Sequence, residues 1–173
     1  MKELLLRLQS DPPKSVKEME QLYSQYPILP DDVSDLVSFL LTHSSLEPTC
    51  TWMIKRYQKD GNSLYSIHVS LLVDSLAHLK TTHGKLHMLQ ILSRLHLSKA
   101  LSAELIAAVE PYLNHKHKFI QASAFEAYAA AARHFPSLLA ELQQRCALML
   151  PQANASLAVK LRRILNAKKQ KLT

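Results

Sequence analysis

Apolar residues recur at intervals of three and four along most of the chain, and polar or proline-bearing breaks separate the runs. Leu4, Leu5 and Leu8 predict a short helix that Asp11-Pro12-Pro13 stops. Val16, Met19, Leu22 and Tyr23 predict a second over residues 15–25, ended by Tyr26-Pro27-Ile28-Leu29-Pro30. Asp31 or Asp32 then caps a third, with Val33, Leu36, Val37, Leu40 and Leu41 inward. A fourth runs from about Leu46 to Tyr57 and stops before Asp60-Gly61, a good C-terminal signal. The fifth, from about Ser63 to Leu79, ends in a break at Thr81 to Gly84, and the sixth uses Met88, Leu92 and Leu95. After Pro136 a ninth helix carries Leu139, Leu142, Cys146 and Met149. A last one, from about Asn154, carries Leu157, Leu161, Ile164 and Leu165.

Between these lies the stretch around which the chain is organised, Leu101 to Phe135. Leu101, Leu105, Ala108, Val109, Tyr112 and Leu113 form one stripe. The corner Asn114-His115-Lys116-His117 follows, and then Ile120, Ala124, Ala127, Tyr128 and Ala131 form another. Two striped helices joined by a short polar corner make an antiparallel hairpin, and the alanines allow close approach of a neighbour. Such a hairpin cannot bury both faces alone and predicts similar units on either side.

The inward triplets of the second helices supply the period. They are Cys50/Ile54/Tyr57, Met88/Leu92/Leu95, Ile120/Ala124/Ala127 and Leu157/Leu161/Ile164, with starts 38, 32 and 37 residues apart. The central hairpin resembles a HEAT-type repeat, whose second helix carries an apolar residue, a basic one and then spaced alanines. Ile120, Gln121, Ala124 and Ala127 follow that order, with Gln121 in place of the usual arginine. The resemblance implies an all-α fold, an α-α superhelix (a HEAT-like solenoid) of about four to five hairpins. The expected organisation is a single domain over residues 1–173: cap helices at 1–30, repeats at 31–167 and a basic tail at 168–173. An irregular helical bundle is the competing arrangement.

Composition agrees with the pattern. Two glycines and 6% aromatics, against 47% hydrophobic residues rich in Leu and Ala, argue for helices over sheets. Cys50 and Cys146 follow no metal or redox spacing and suit a reducing cytoplasm. The start, MKELLLRLQS, is a poor match to a secretory signal, and no run approaches a membrane span. A formal charge of +7 permits a polyanionic partner without requiring one.

The charge is unevenly placed. First helices of the hairpins carry mostly acid, including Asp31, Asp35, Glu104 and Glu141. The second helices and their ends carry mostly base, including Lys85, Lys116, Arg133, Lys160 and Arg162. In HEAT-like arrays second helices line the concave side, so the resemblance implies a basic inner surface. Six residues beyond each triplet start stand Arg56, Arg94, Glu126 and Arg163, an outward position at which three arginines could form a ladder suited to phosphate or carboxylate groups. Glu126 interrupts it; a row of ordinary solvated charges is the plainer alternative. Trp52 lies on the same face as Arg56, with Lys55 and Lys59 beside it, and reads either as a binding anchor or as packing between repeats.

Nine histidines raise the question of a metal. The His83/His87 and His115/His117 pairs bring no Cys or carboxylate at ligand spacing, and lysines stand beside both. No nucleophile elbow, P-loop, GxGxxG or paired-carboxylate motif occurs in the sequence. The expectation is a non-enzymatic module that needs no cofactor and binds another protein through its concave face, without a membrane. Its candidate contacts are Trp52, Lys55, Arg56, Lys59, Arg94 and Arg163. Weak, non-specific binding of nucleic acid by the same basic groove is the alternative, similar to HEAT-like alkylation-repair DNA glycosylases, for which Trp52, Tyr57 and Glu126 are the available groove residues.

Overall fold

The computed structural model describes residues 1–167, so the basic tail read at 168–173 lies outside the described residues. Among the described residues there are ten α-helices, a few short 3-10 turns and no strand. The chain folds as two compact units, one spanning Met1–Ile91 and one running from Leu92 onward.

The first unit holds α1 (Lys2–Ser10), α2 (Val16–Gln25), α3 (Asp32–Thr42), α4 (Glu47–Lys59), α5 (Ser66–Leu76) and all but the last residue of α6 (Thr82–Leu92). Local chemistry sets most of the ends. Ser15 accepts the Glu18 N–H at the start of α2, and Gly61 closes α4 at φ +90°, a region that only glycine enters freely. The expected aspartate cap of α3 takes another form: Asp31 makes no side-chain cap bond, and Asp32 Oδ2 instead accepts the Leu29 N–H at 2.8 Å, fixing the turn before the helix. Helix α5 begins at Ser66, later than the periodicity suggests, because the Tyr65 N–H is taken up by His68 Nδ1 at 3.3 Å.

Helix α6 departs most from expectation. Thr81 to Gly84 is its beginning and not a break: the Thr81 hydroxyl accepts the Gly84 N–H at 3.0 Å as an N-cap. The helix then stops at Leu92, which leaves Leu95 half-buried outside it. The other members of the four inward triplets are all buried.

The core of this unit is built from Leu36 and Leu40 of α3, Cys50, Met53 and Ile54 of α4, Leu72 and Leu76 of α5, and Met88 of α6. Each fully buried Leu or Ile contributes about 1.5–3 kcal/mol. Helix α3 packs on α4 and α5, and α2 on α4. Helices α4 and α6 are tied by side chains: Glu47 to Lys80 and Thr81, Thr51 Oγ1 to His87 Nδ1 at 3.1 Å, and Gln58 Nε2 donating to the Ile91 carbonyl at 3.1 Å. Both members of these pairs advance along the chain together, so α4 and α6 run parallel.

The second unit holds α7 (Lys99–Val109), α8 (Lys118–Ala131), α9 (Pro136–Met149) and α10 (Ala155–Asn166). Ser98 and Asn154 cap α7 and α10 by accepting the Leu101 and Leu157 N–H groups. Helix α8 is its centre. Ile120, Ala122, Ala124, Phe125, Ala127, Ala130 and Ala131 are buried, and the small side chains bring its backbone close to α7 and α10. Gln121 is 5% exposed and donates to the Leu113 carbonyl at 2.8 Å, tying α8 to the end of the preceding segment.

Each unit buries one unpaired cysteine, Cys50 in the first and Cys146 in the second. Burial pushes the thiols up to about 12 and about 11. Among the described residues no helix is long and apolar enough to cross a membrane.

Candidate functional site

Trp52, Lys55, Arg56 and Lys59 fall at helical spacing on α4 and gather with Val16 and Glu20 of α2 around a small hollow of about 160 Å³. Trp52 is half-buried and meets the edge of Tyr23, their rings 6.2 Å apart and nearly perpendicular. Arg56 lies over the same Tyr23 ring at 5.7 Å. Its guanidinium is committed within the unit: Nε donates to both Asp60 oxygens at 2.9 and 3.1 Å, and Nη1 stands 3.6 Å from Glu20. Burial, and then the Asp60 carboxylate, push the Tyr23 hydroxyl up to about 12. The four sequence candidates of this face therefore do meet. Their geometry seats α2 on α4, with Arg56 already carrying two carboxylates.

The second unit forms a larger pocket of about 450 Å³. Four cations line it: Arg94 from the turn after α6, Arg133 from the 3-10 turn after α8, and Lys160 and Arg163 from α10. One carboxylate, Glu126 of α8, stands among them. Lys160 Nζ donates to Glu126 Oε2 at 2.7 Å, and Arg163 Nη1 lies 3.8 Å from Oε1. Arg94 and Arg133 are exposed and make no ion pair among the described residues. Ala129, Ala130, Leu139 and Ile164 form the apolar part of the lining. The hollow exists because α8 offers alanines where larger residues would fill the space.

Arg94 and Arg163, chosen from the sequence as one row, thus line a single pocket in the second unit, and Arg56 lies in the first. Arg94 reaches its place from a turn and not from a helical face. Glu126, read as an interruption of the row, forms the ion pair that organises it. The periodicity did not single out Arg133 and Lys160 as site residues. A signal was available for Lys160, which stands 34 residues after Glu126, within the range of the spacing between the inward triplets.

The histidine pairs are engaged elsewhere. His83 and His87 stand 6.3 Å apart, and His87 bonds Thr51. Burial, with Lys55 and His83 adding to it, brings the His87 ring down to about 4. His115 Nδ1 accepts the His117 N–H at 3.0 Å. Among the described residues no three His, Cys, Asp or Glu side chains gather as a metal site.

Comparison with protein-family models, with curated proteins and with solved structures finds no match for this chain.

Proposed function

We propose that the chain is a non-catalytic interaction module whose helical hairpins stack in the HEAT-like manner, and that it grips an acidic group of a partner protein in the pocket of Arg94, Arg133, Lys160 and Arg163. The observation that carries this reading is the charge of that pocket, four cations round a single carboxylate. In a partly enclosed hollow these charges repel one another, and an incoming anion relieves that repulsion. Within each unit, side-chain hydrogen bonds at separations of 33 to 37 residues support the repeat reading, since they join successive elements at nearly the sequence period. The parallel course of α4 and α6 supports it as well. The two unpaired, buried cysteines suit a reducing compartment such as the cytoplasm.

Extended nucleic acid fits these charges less well. A phosphate track needs cations in continuous succession, and here Glu126 stands inside the pocket while Asp60 and Glu20 neutralise Arg56. Fluorescence anisotropy with an Asp/Glu-rich peptide library and with duplex DNA, each at low and physiological salt, tests the reading. The expected result is peptide binding that survives physiological salt and is lost in the Arg94→Ala/Arg133→Ala double variant, with DNA binding that salt abolishes. DNA binding that persists, with no peptide binding, would overturn it.

A further inference from the structure

We propose that the pocket of the second unit takes a phosphate monoester carried on a peptide, a phosphoserine or phosphothreonine, and so recognises its partner in the phosphorylated state. This deepens the preceding reading and rests on it.

The charge balance points to a dianion. Glu126 already occupies Lys160, and Arg163 is close beside it, so one anion sits against two cations. Arg94 and Arg133 remain, two exposed guanidinium groups on the same pocket with no ion pair among the described residues. An aspartate or glutamate brings one negative charge, whereas a phosphate monoester brings nearly two at neutral pH, together with three acceptor oxygens. Donor type agrees with this. Three of the four cations are arginines, whose planar forks match phosphate oxygens in pairs.

Size and lining also agree. A hollow of about 450 Å³ is roomier than a carboxylate requires. Ala129, Ala130 and Leu139 offer an apolar wall to the methylene or methyl of the phosphorylated residue. Glu126 then limits the site to one phosphate, because a second one along a strand would meet its carboxylate. That restriction favours an isolated phosphoryl group on a peptide over a nucleic-acid backbone.

The test uses the full chain and three peptide libraries, identical except for a fixed central residue: phosphoserine, serine or glutamate. The phosphoserine library should bind at least about tenfold more tightly than either of the others. Arg94→Ala and Arg133→Ala should each weaken it by about tenfold. Glu126→Gln, which frees Lys160 and Arg163, should strengthen it. Circular dichroism melting confirms that each variant is folded. Equal binding of the glutamate and phosphoserine libraries would overturn the phosphate assignment and leave the protein-binding reading standing. If no library binds the folded protein, both fall. Inorganic phosphate and vesicles carrying phosphoinositides form two further arms. Binding of either one without the phosphoserine library would also overturn the assignment to a peptide.

Discussion

The carboxylate of Glu47 sits against the first turn of α6 and takes both the N–H and the hydroxyl of Thr81, each at 2.8 Å. It also accepts the Lys80 N–H, and its side chain is almost wholly withdrawn from water, with 2% exposure. A carboxylate can be buried so deeply because its oxygens are met by fixed donors at a helix N-terminus, where the partial positive charge of the helix lies. The start of α4 thus holds the start of α6.

Gly84 is the place where this arrangement has no slack. A Cβ there would stand 2.8 Å from Thr81 Oγ1 and 3.1 Å from Glu47 Oε2. At an open helical position Gly→Ala stabilises by about 1 kcal/mol. Here Gly84→Ala should destabilise by about 1–3 kcal/mol, because Thr81 and Glu47 must move apart. Urea unfolding decides it, and an unchanged or higher midpoint would contradict the fit.

Glu47→Gln keeps the size and removes the charge. It should cost about 1.5–3 kcal/mol, the range for hydrogen bonds to an ionised acceptor. An exposed carboxylate such as Glu104 of α7 provides the comparison, and its change to Gln should shift the midpoint far less. Equal effects at the two positions would mean that the clamp is not made in solution.

His87 gives the first unit a dependence on acid. Burial lowers its ring from 6.5 to about 4, so the folded chain binds the proton later than the unfolded chain does. Stability from this group is complete above about pH 6.5 and is lost as the pH falls toward 4, by about 3 kcal/mol over the whole window. His68, lowered mainly by burial, acts in the same direction. His87→Gln should flatten the fall of the unfolding midpoint between about pH 7 and pH 5. Parallel curves for the two proteins would overturn the assignment.

The helices were legible in the chain because each apolar stripe repeats within a few residues, and the inward residues of α4, α8 and α10 follow directly from that spacing. On α3 the spacing also places Leu41 inward, but Leu41 is exposed and Phe39 is buried in its stead. Gly84 shows where such reading ends. Beside Thr81 and Thr82 it looks like a helix breaker; the Thr81 hydroxyl caps its N–H locally, and Glu47, distant in sequence, holds that Thr81 in place. The pocket was half legible for a similar reason. Arg94 and Arg163 stood out by position, but Arg133 enters through a 3-10 turn after α8 that no apolar period records. The commitment of Arg56 to Asp60 was open to reading, since an i, i+4 pair near a helix end is a local relation. Its second partner, Glu20, depends on the packing of α2 on α4 and was not.

Gln121 is a buried polar side chain that carries its own bond. Gln121→Leu keeps the bulk but leaves the buried Leu113 carbonyl without its donor, which should cost about 1–3 kcal/mol. Gln121→Glu should be worse, because it places an acceptor against an acceptor. If both variants unfold at the wild-type midpoint, the bond to Leu113 contributes nothing.

The two cysteines have a practical consequence. Alkylating reagents attack a thiolate that they can reach, and neither Cys50 nor Cys146 presents one in the folded state. Each is therefore labelled only when the unit around it opens. The chain thus carries two clocks, one per unit, and peptide mass spectrometry along a single labelling time course reads both. A shared rate would mean that the halves open as one body, and separate rates would give each its own lifetime.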